Sequence, residues 1–175
     1  MSILKYINSV FMIFNSQPHI ANLLESSYSQ GNLLFNNDVL LAPQGNSVKV
    51  TDLKKNCSRL LPLQNPHTNA LLALSPDGTL LIAIDFSGHS TLFNLPGDFV
   101  IGEFNFKGSV RCATFSDDGR LLCIGQGQGF TVYECGSLYR CFEPLVLLKK
   151  YKTRHSANIC SISFSKDSRF LLTSG

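Results

Sequence analysis

The densest set of side chains able to do chemistry is a basic run with an aromatic inside it, Lys149-Lys150-Tyr151-Lys152-Thr153-Arg154-His155. Lys149, Lys150, Lys152 and Arg154 could track the phosphates of an RNA strand or meet a protein partner, and Tyr151 could stack a base. The plainer reading is a solvated connecting loop, because the run is short. Lys54, Lys55 and Arg59 form a smaller group open to the same two readings.

Catalytic patterns are missing. There is no G-x-S-x-G elbow, no G-x-x-x-x-G-K-[ST] loop and no H-E-x-x-H pair. Gly125-Gln126-Gly127-Gln128-Gly129 superficially resembles a phosphate-binding loop. It joins two strand-like runs, however, whereas a phosphate loop must open a helix. His19, His67, His89 and His155 are scattered without metal-ligand spacing. Asp77, Asp118 and Asp167 recur at one turn, where an Asp side chain bonding its own backbone explains them. The reading is therefore not an enzyme, with no catalytic residues, no cofactor, no metal and no small-molecule substrate.

The cysteines are Cys57, Cys112, Cys123, Cys135, Cys141 and Cys160, with no C-x-x-C pair. Cys112, Cys123 and Cys160 fall in apolar runs, where a free thiol packs as a small hydrophobe. Reduced thiols point to an intracellular chain. An apolar fraction of 44% against 15% charged residues is globular, and a net charge of +3 is too mild to argue for nucleic acid by itself. No run approaches the ~18 apolar residues of a membrane span, so no membrane partner is expected. Met1 to Phe14 weakly resembles a signal peptide but is broken by Asn8 and Ser9. Residues 1–20 read as an extension outside the domain.

The elements that must hold these residues come from a repeat. Ser75-Pro76-Asp77-Gly78 returns as Ser116-Asp117-Asp118-Gly119 and as Ser165-Lys166-Asp167-Ser168, in steps of 41 and 49 residues. Each copy sits between two apolar runs, as in Val110–Phe115 and Arg120–Gly125, and Asp-Gly is a strong hairpin signal. A third run closes each unit: Val48–Leu53, Ser90–Leu95 and Phe130–Cys135. Phe99–Phe106 and Leu145–Lys150 supply a fourth strand between units. Four strands in about 40–45 residues is the period of a β-propeller blade. The predicted fold is all-β, with units near 31–63, 66–106, 107–151 and 153–175; the first is partial and the last is the opening half of another. About four units cannot close a ring of about seven. The expectation is a piece of a longer protein, or a half-ring that pairs with a second copy.

The run Arg154-His155-Ser156-Ala157-Asn158-Ile159-Cys160-Ser161-Ile162-Ser163-Phe164-Ser165-Lys166-Asp167 resembles the WD40 opening G-H-x-x-x-V-x-x-V-x-F-S-P-D. Val48-Lys49-Val50-Thr51-Asp52-Leu53 resembles the closing V-K-V-W-D-L, with Thr51 in place of Trp. The chain has no Trp, so the His-Asp-Ser-Trp hydrogen bonds of such blades are mostly absent and apolar packing is expected to hold the sheets together.

Across 21–175, Asn22-Leu23-Leu24, Asn46 to Lys54, Leu60-Leu61-Pro62-Leu63, Leu74 to Gly78 and Phe104-Asn105-Phe106-Lys107-Gly108-Ser109-Val110 occur in order. They resemble the N-terminal propeller of the second periodic tryptophan protein family, two-propeller components of the small-subunit processome. The resemblance implies a non-catalytic scaffold in the nucleolus of the nucleus, supporting small-subunit pre-rRNA processing. Its partners would be other WD40 proteins of a processome subcomplex, the U3 small nucleolar ribonucleoprotein and pre-rRNA. A generic WD40 adaptor, such as a ubiquitin-ligase substrate receptor or a coat subunit, is the alternative.

Overall fold

The computed structural model describes residues 31–135 and 144–175. The extension 1–20, the Asn22 segment, His19 and Cys141 lie outside them. The described residues form fourteen strands and no helix. β1 (Leu34–Asn36), β2 (Val39–Gln44), β3 (Ser47–Asp52) and β4 (Cys57–Leu60) make the first antiparallel sheet, in that order. The second holds β5 (Asn69–Leu74), β6 (Leu80–Asp85), β7 (His89–Asn94) and β8 (Phe99–Asn105). The third holds β9 (Cys112–Phe115), β10 (Leu121–Gln126), β11 (Gly129–Cys135) and β12 (Leu145–Lys152), and β13 (Ser161–Phe164) pairs β14 (Leu171–Ser174). The first sheet is complete and not partial as the sequence reading had it. Its outer members, three and four residues long, carry no apolar alternation that would announce them.

Successive sheets meet through their early strands: β1 and β2 against β5, β5 against β9, β9 and β10 against β13. These are propeller-type blades without a closed ring. The strand pattern explains the stacking. β6 (LLIAID) is buried on both faces, so its apolar residues run continuously instead of alternating. Leu81 and Ala83 join Leu41, Val48, Leu72 and Phe93 between the first two sheets. Ile82 and Ile84 face the other way, joining Leu92, Phe115, Leu122 and Ile124 between the second and third. β10 repeats the division, with Cys123 turned toward Ile159 and Ile162 of the next unit. Burying a Leu or Ile side chain stabilises by about 1.5–3 kcal/mol, so each middle strand ties together the two seams it borders.

The three repeated turns share one hydrogen-bond design. Ser75 Oγ donates to Asp77 Oδ1 at 2.5 Å and accepts from the Leu80 amide at 2.9 Å, while the Thr79 amide donates to Asp77 Oδ1 at 3.1 Å. Ser116 and Asp118 repeat this with Leu121 and Arg120, and Ser165 and Asp167 with Phe170 and Arg169. The position after the Asp takes a left-handed conformation, φ +72° at Gly78 and +71° at Gly119, the conformation that glycine adopts without steric cost.

These bonds hold the carboxylates in the charged form. For Asp118 and Asp167 the serine hydroxyls are the main cause of a pKa below the ordinary 3.8. At Asp77 burial pushes upward, and the bonds from Ser75 and Thr79 outweigh it. A depressed carboxyl pKa adds stability that is complete above the ordinary value and is lost as pH falls through the folded value. The denaturant midpoint should therefore hold steady through neutral pH and fall from about pH 5 downward. Asp118→Asn should lower stability by about 1 kcal/mol at pH 7 and flatten that acid slope. An unchanged slope would remove the turn from the explanation.

The expectation that apolar packing alone joins the sheets is corrected by a buried polar network. Asn65 Nδ2 donates to Asn69 Oδ1 at 2.5 Å and to the Ala83 carbonyl at 3.0 Å, and Asn65 Oδ1 accepts from Thr91 Oγ1 at 2.6 Å. Asn69 Nδ2 donates to the Ser47 carbonyl at 3.0 Å, carrying the network into the first sheet. All three side chains are buried. Asn65 stands ten residues before the turn serine Ser75, as His155 does before Ser165 and Phe106 before Ser116. His155 Nε2 lies 2.9 Å from Thr173 Oγ1, while Phe106 packs edge-on against Tyr133 with centroids 5.4 Å apart. One structural position thus secures three units by an amide network, an aromatic contact and an imidazole–hydroxyl bond.

Candidate functional site

The basic run is not a loop over most of its length. β12 extends to Lys152, so Lys149, Lys150, Tyr151 and Lys152 lie on the outer strand of the third sheet, and only Arg154 sits in the connection beyond it. Pairing with β11 is regular from Gly129↔Lys152 to Val132↔Lys149, then slips so that Tyr133 faces Leu147 and Leu148 is the extra residue of a bulge. Side chains alternate along a strand, so Lys149 and Tyr151 share one face, and Lys150 and Lys152 take the other. The cluster is therefore split across an edge and does not form one flat patch.

Tyr151 is already engaged. Its ring stacks on Phe130, with centroids 4.8 Å apart and planes 18° from parallel, and Lys149 Nζ lies 5.2 Å from its centroid. A base platform needs a free ring face. Phe130 takes one face of the Tyr151 ring, and the side chain stays 41% exposed.

The second basic group is neutralised where the first is not. Lys54 pairs with Asp38 at 2.5 Å, Lys55 with Asp52 at 3.7 Å and Arg59 with Asp98 at 2.6 Å. Among the described residues no carboxylate pairs with Lys149, Lys150, Lys152 or Arg154. Solvent-exposed cations on an edge strand also deter unselective strand pairing.

The glycine run is a turn between β10 and β11 that anchors the chain leaving β12. The Gly127 carbonyl accepts from the Ile159 amide at 2.7 Å, and the Gln128 carbonyl from the Thr153 hydroxyl at 2.6 Å. Its carbonyls are turned to protein donors, and no helix follows.

Burial pushes the thiol of Cys112 up to about 11 and those of Cys123 and Cys135 up to about 12. Thiols so protonated are poor nucleophiles and act as packing groups. Cys160, placed by the sequence reading within an apolar run, is instead exposed just before β13, with Sγ 3.5 Å from the Ser174 carbonyl. Among the described residues no group of three or more His, Cys, Asp or Glu could hold a metal.

The feature most hidden in sequence is the Asn65–Asn69–Thr91 network. Its one signal is the placement of Asn65 where His155 stands in the later unit.

The WD domain, G-beta repeat, matches residues 146–175, running from β12 into the next unit. Periodic tryptophan protein 2 homologues are similar over most of the chain: 38% identical in Schizosaccharomyces pombe over 87% of this chain, 37% in Saccharomyces cerevisiae over 87%, and 38% in Mus musculus over 85%. The chain spans only 18%, 17% and 16% of those relatives' lengths. A chain in a crystal structure of the mitotic checkpoint complex superposes with a TM-score of 0.70 at 15% identity, covering 87% of this chain and 46% of that one, a likeness of fold alone.

Proposed function

Starting from a WD40-repeat chain that resembles the periodic tryptophan protein 2 homologues over most of its length, we propose that it works as a non-catalytic scaffold of the small-subunit processome. In this reading it supports small-subunit pre-rRNA processing in the nucleolus. It does so by binding, beside other WD40 proteins of a subcomplex that meets the U3 small nucleolar ribonucleoprotein and the pre-rRNA. The observation that carries the reading is the 38% identity over 157 residues, which runs through the blades and is not confined to one repeat. The architecture suits the role: middle strands buried on both faces make a rigid stack, and loops and outer strands are left to meet partners.

The test is to tag the protein in its own cells and sequence the co-purifying RNA. The U3 box C/D RNA and the 5′ region of pre-rRNA should be enriched over a tagged unrelated propeller. Their absence, with the protein recovered intact, would overturn the assignment and leave a general WD40 adaptor.

A further inference from the structure

The third sheet's outer edge holds a feature that the scaffold reading does not use. Among the described residues β12 is hydrogen-bonded by β11 on one side only, so half of its backbone amides and carbonyls face away from the sheet. Leu147 and Leu148 are each 50% exposed beside them. Lys149, Lys150 and Lys152 follow on both faces of the same strand, with no carboxylate partner among the described residues. The other outer strands differ. β4 is four residues long and its Arg59 is paired to Asp98, while β8 carries Glu103 and no cation.

From this combination we infer that the β12 edge receives an extended acidic polypeptide segment, which adds as a further strand. Strand addition takes its affinity from the free backbone edge and its selectivity from side chains that sit directly opposite one another. The regular stretch from Lys149 to Lys152 offers the backbone, and its lysines repel a basic strand and favour carboxylates facing them. Leu147 and Leu148 give the partner an apolar landing next to the charges. RNA is the competing occupant. Phosphate binding would use the lysines but neither the leucines nor the unpaired edge. The inference does not depend on the processome assignment, and the RNA co-purification can fail without touching it.

The test uses the full chain and a fluorescent peptide containing Glu-Thr-Glu-Glu-Val-Val, which sets carboxylates against the lysines and valines against the leucines in an antiparallel register. Three comparisons accompany it: the peptide with Lys for Glu, the acidic peptide N-methylated on alternate amides, and poly(U) RNA. Binding of the acidic peptide is expected, with no binding of the Lys peptide and about tenfold weakening by N-methylation, which leaves the charge but removes edge donors. Combining Lys149→Glu, Lys150→Glu and Lys152→Glu should also weaken it by about tenfold or more. The N-methyl comparison is made on unaltered protein, so it stands even if the variant folds poorly. Equal binding of the methylated and unmethylated peptides, or binding of poly(U) without the acidic peptide, would overturn the inference.

Discussion

Gly88→Ala is expected to destabilise the chain by about 3 kcal/mol or more, lowering its urea midpoint well below that of an exposed glycine variant. Two costs add. Gly88 has φ +91°, a conformation that costs an L-residue about 1–2 kcal/mol. A Cβ built there would also lie 2.2 Å from the Gly108 carbonyl oxygen and 3.1 Å from the Gly108 amide nitrogen, so the obstacle is backbone and cannot swing aside. The contact is central because Gly88 ends the turn between β6 and β7, and its carbonyl accepts from the Phe106 amide at 2.9 Å. The turn of the second sheet is thereby seated on the link to the third. Gly45→Ala is the control. Gly45 has φ +59° with nothing within 4 Å of its Cβ direction, so only the conformational cost of about 1 kcal/mol applies. Equal losses in the two variants would mean that the turn and the link do not meet as described.

The second large effect concerns the buried amides. Asn65→Ala should cost about 3 kcal/mol, because it leaves the buried Thr91 hydroxyl and the Asn69 side-chain carbonyl oxygen without partners and removes the side-chain bond to the Ala83 carbonyl. Thr91→Val removes one donor and leaves only one lone pair of Asn65 unfilled, so about 1 kcal/mol is expected. The double variant should lose less than the sum of the two, by about 1 kcal/mol, since the Thr91–Asn65 bond is counted in both. Strict additivity, measured by urea denaturation of all four proteins, would show that the two side chains do not act together.

These two sites also show what a reader of the sequence can and cannot see. The Ser75, Ser116 and Ser165 turns are legible because everything they need lies within six residues: a hydroxyl, a carboxylate two positions on, and a residue that accepts positive φ. β6 and β10 are legible as apolar runs, though only stacking reveals that alternate residues serve different seams. The Asn65–Thr91 bond spans 26 residues, and each partner alone looks like an ordinary loop or strand polar group. The basic cluster was visible as composition. Its division between two faces was not, because it depends on the run being strand β12, paired with β11 across a long connection, and not a loop. Lys54, Lys55 and Arg59 looked equivalent to it until their carboxylate partners were in place.

The central claim is that the chain is a series of small antiparallel sheets joined through the faces of their middle strands. Backbone and side-chain NOEs around Cys123 test it most directly. Cys123 should be flanked by Thr114 on one side and Val132 on the other, and its side chain should touch Ile159 and Ile162 of the following unit. Helical contacts through Leu71–Ile84 or Val110–Ile124, or Cys123 flanked as expected but with no contact to Ile159 or Ile162, would contradict it.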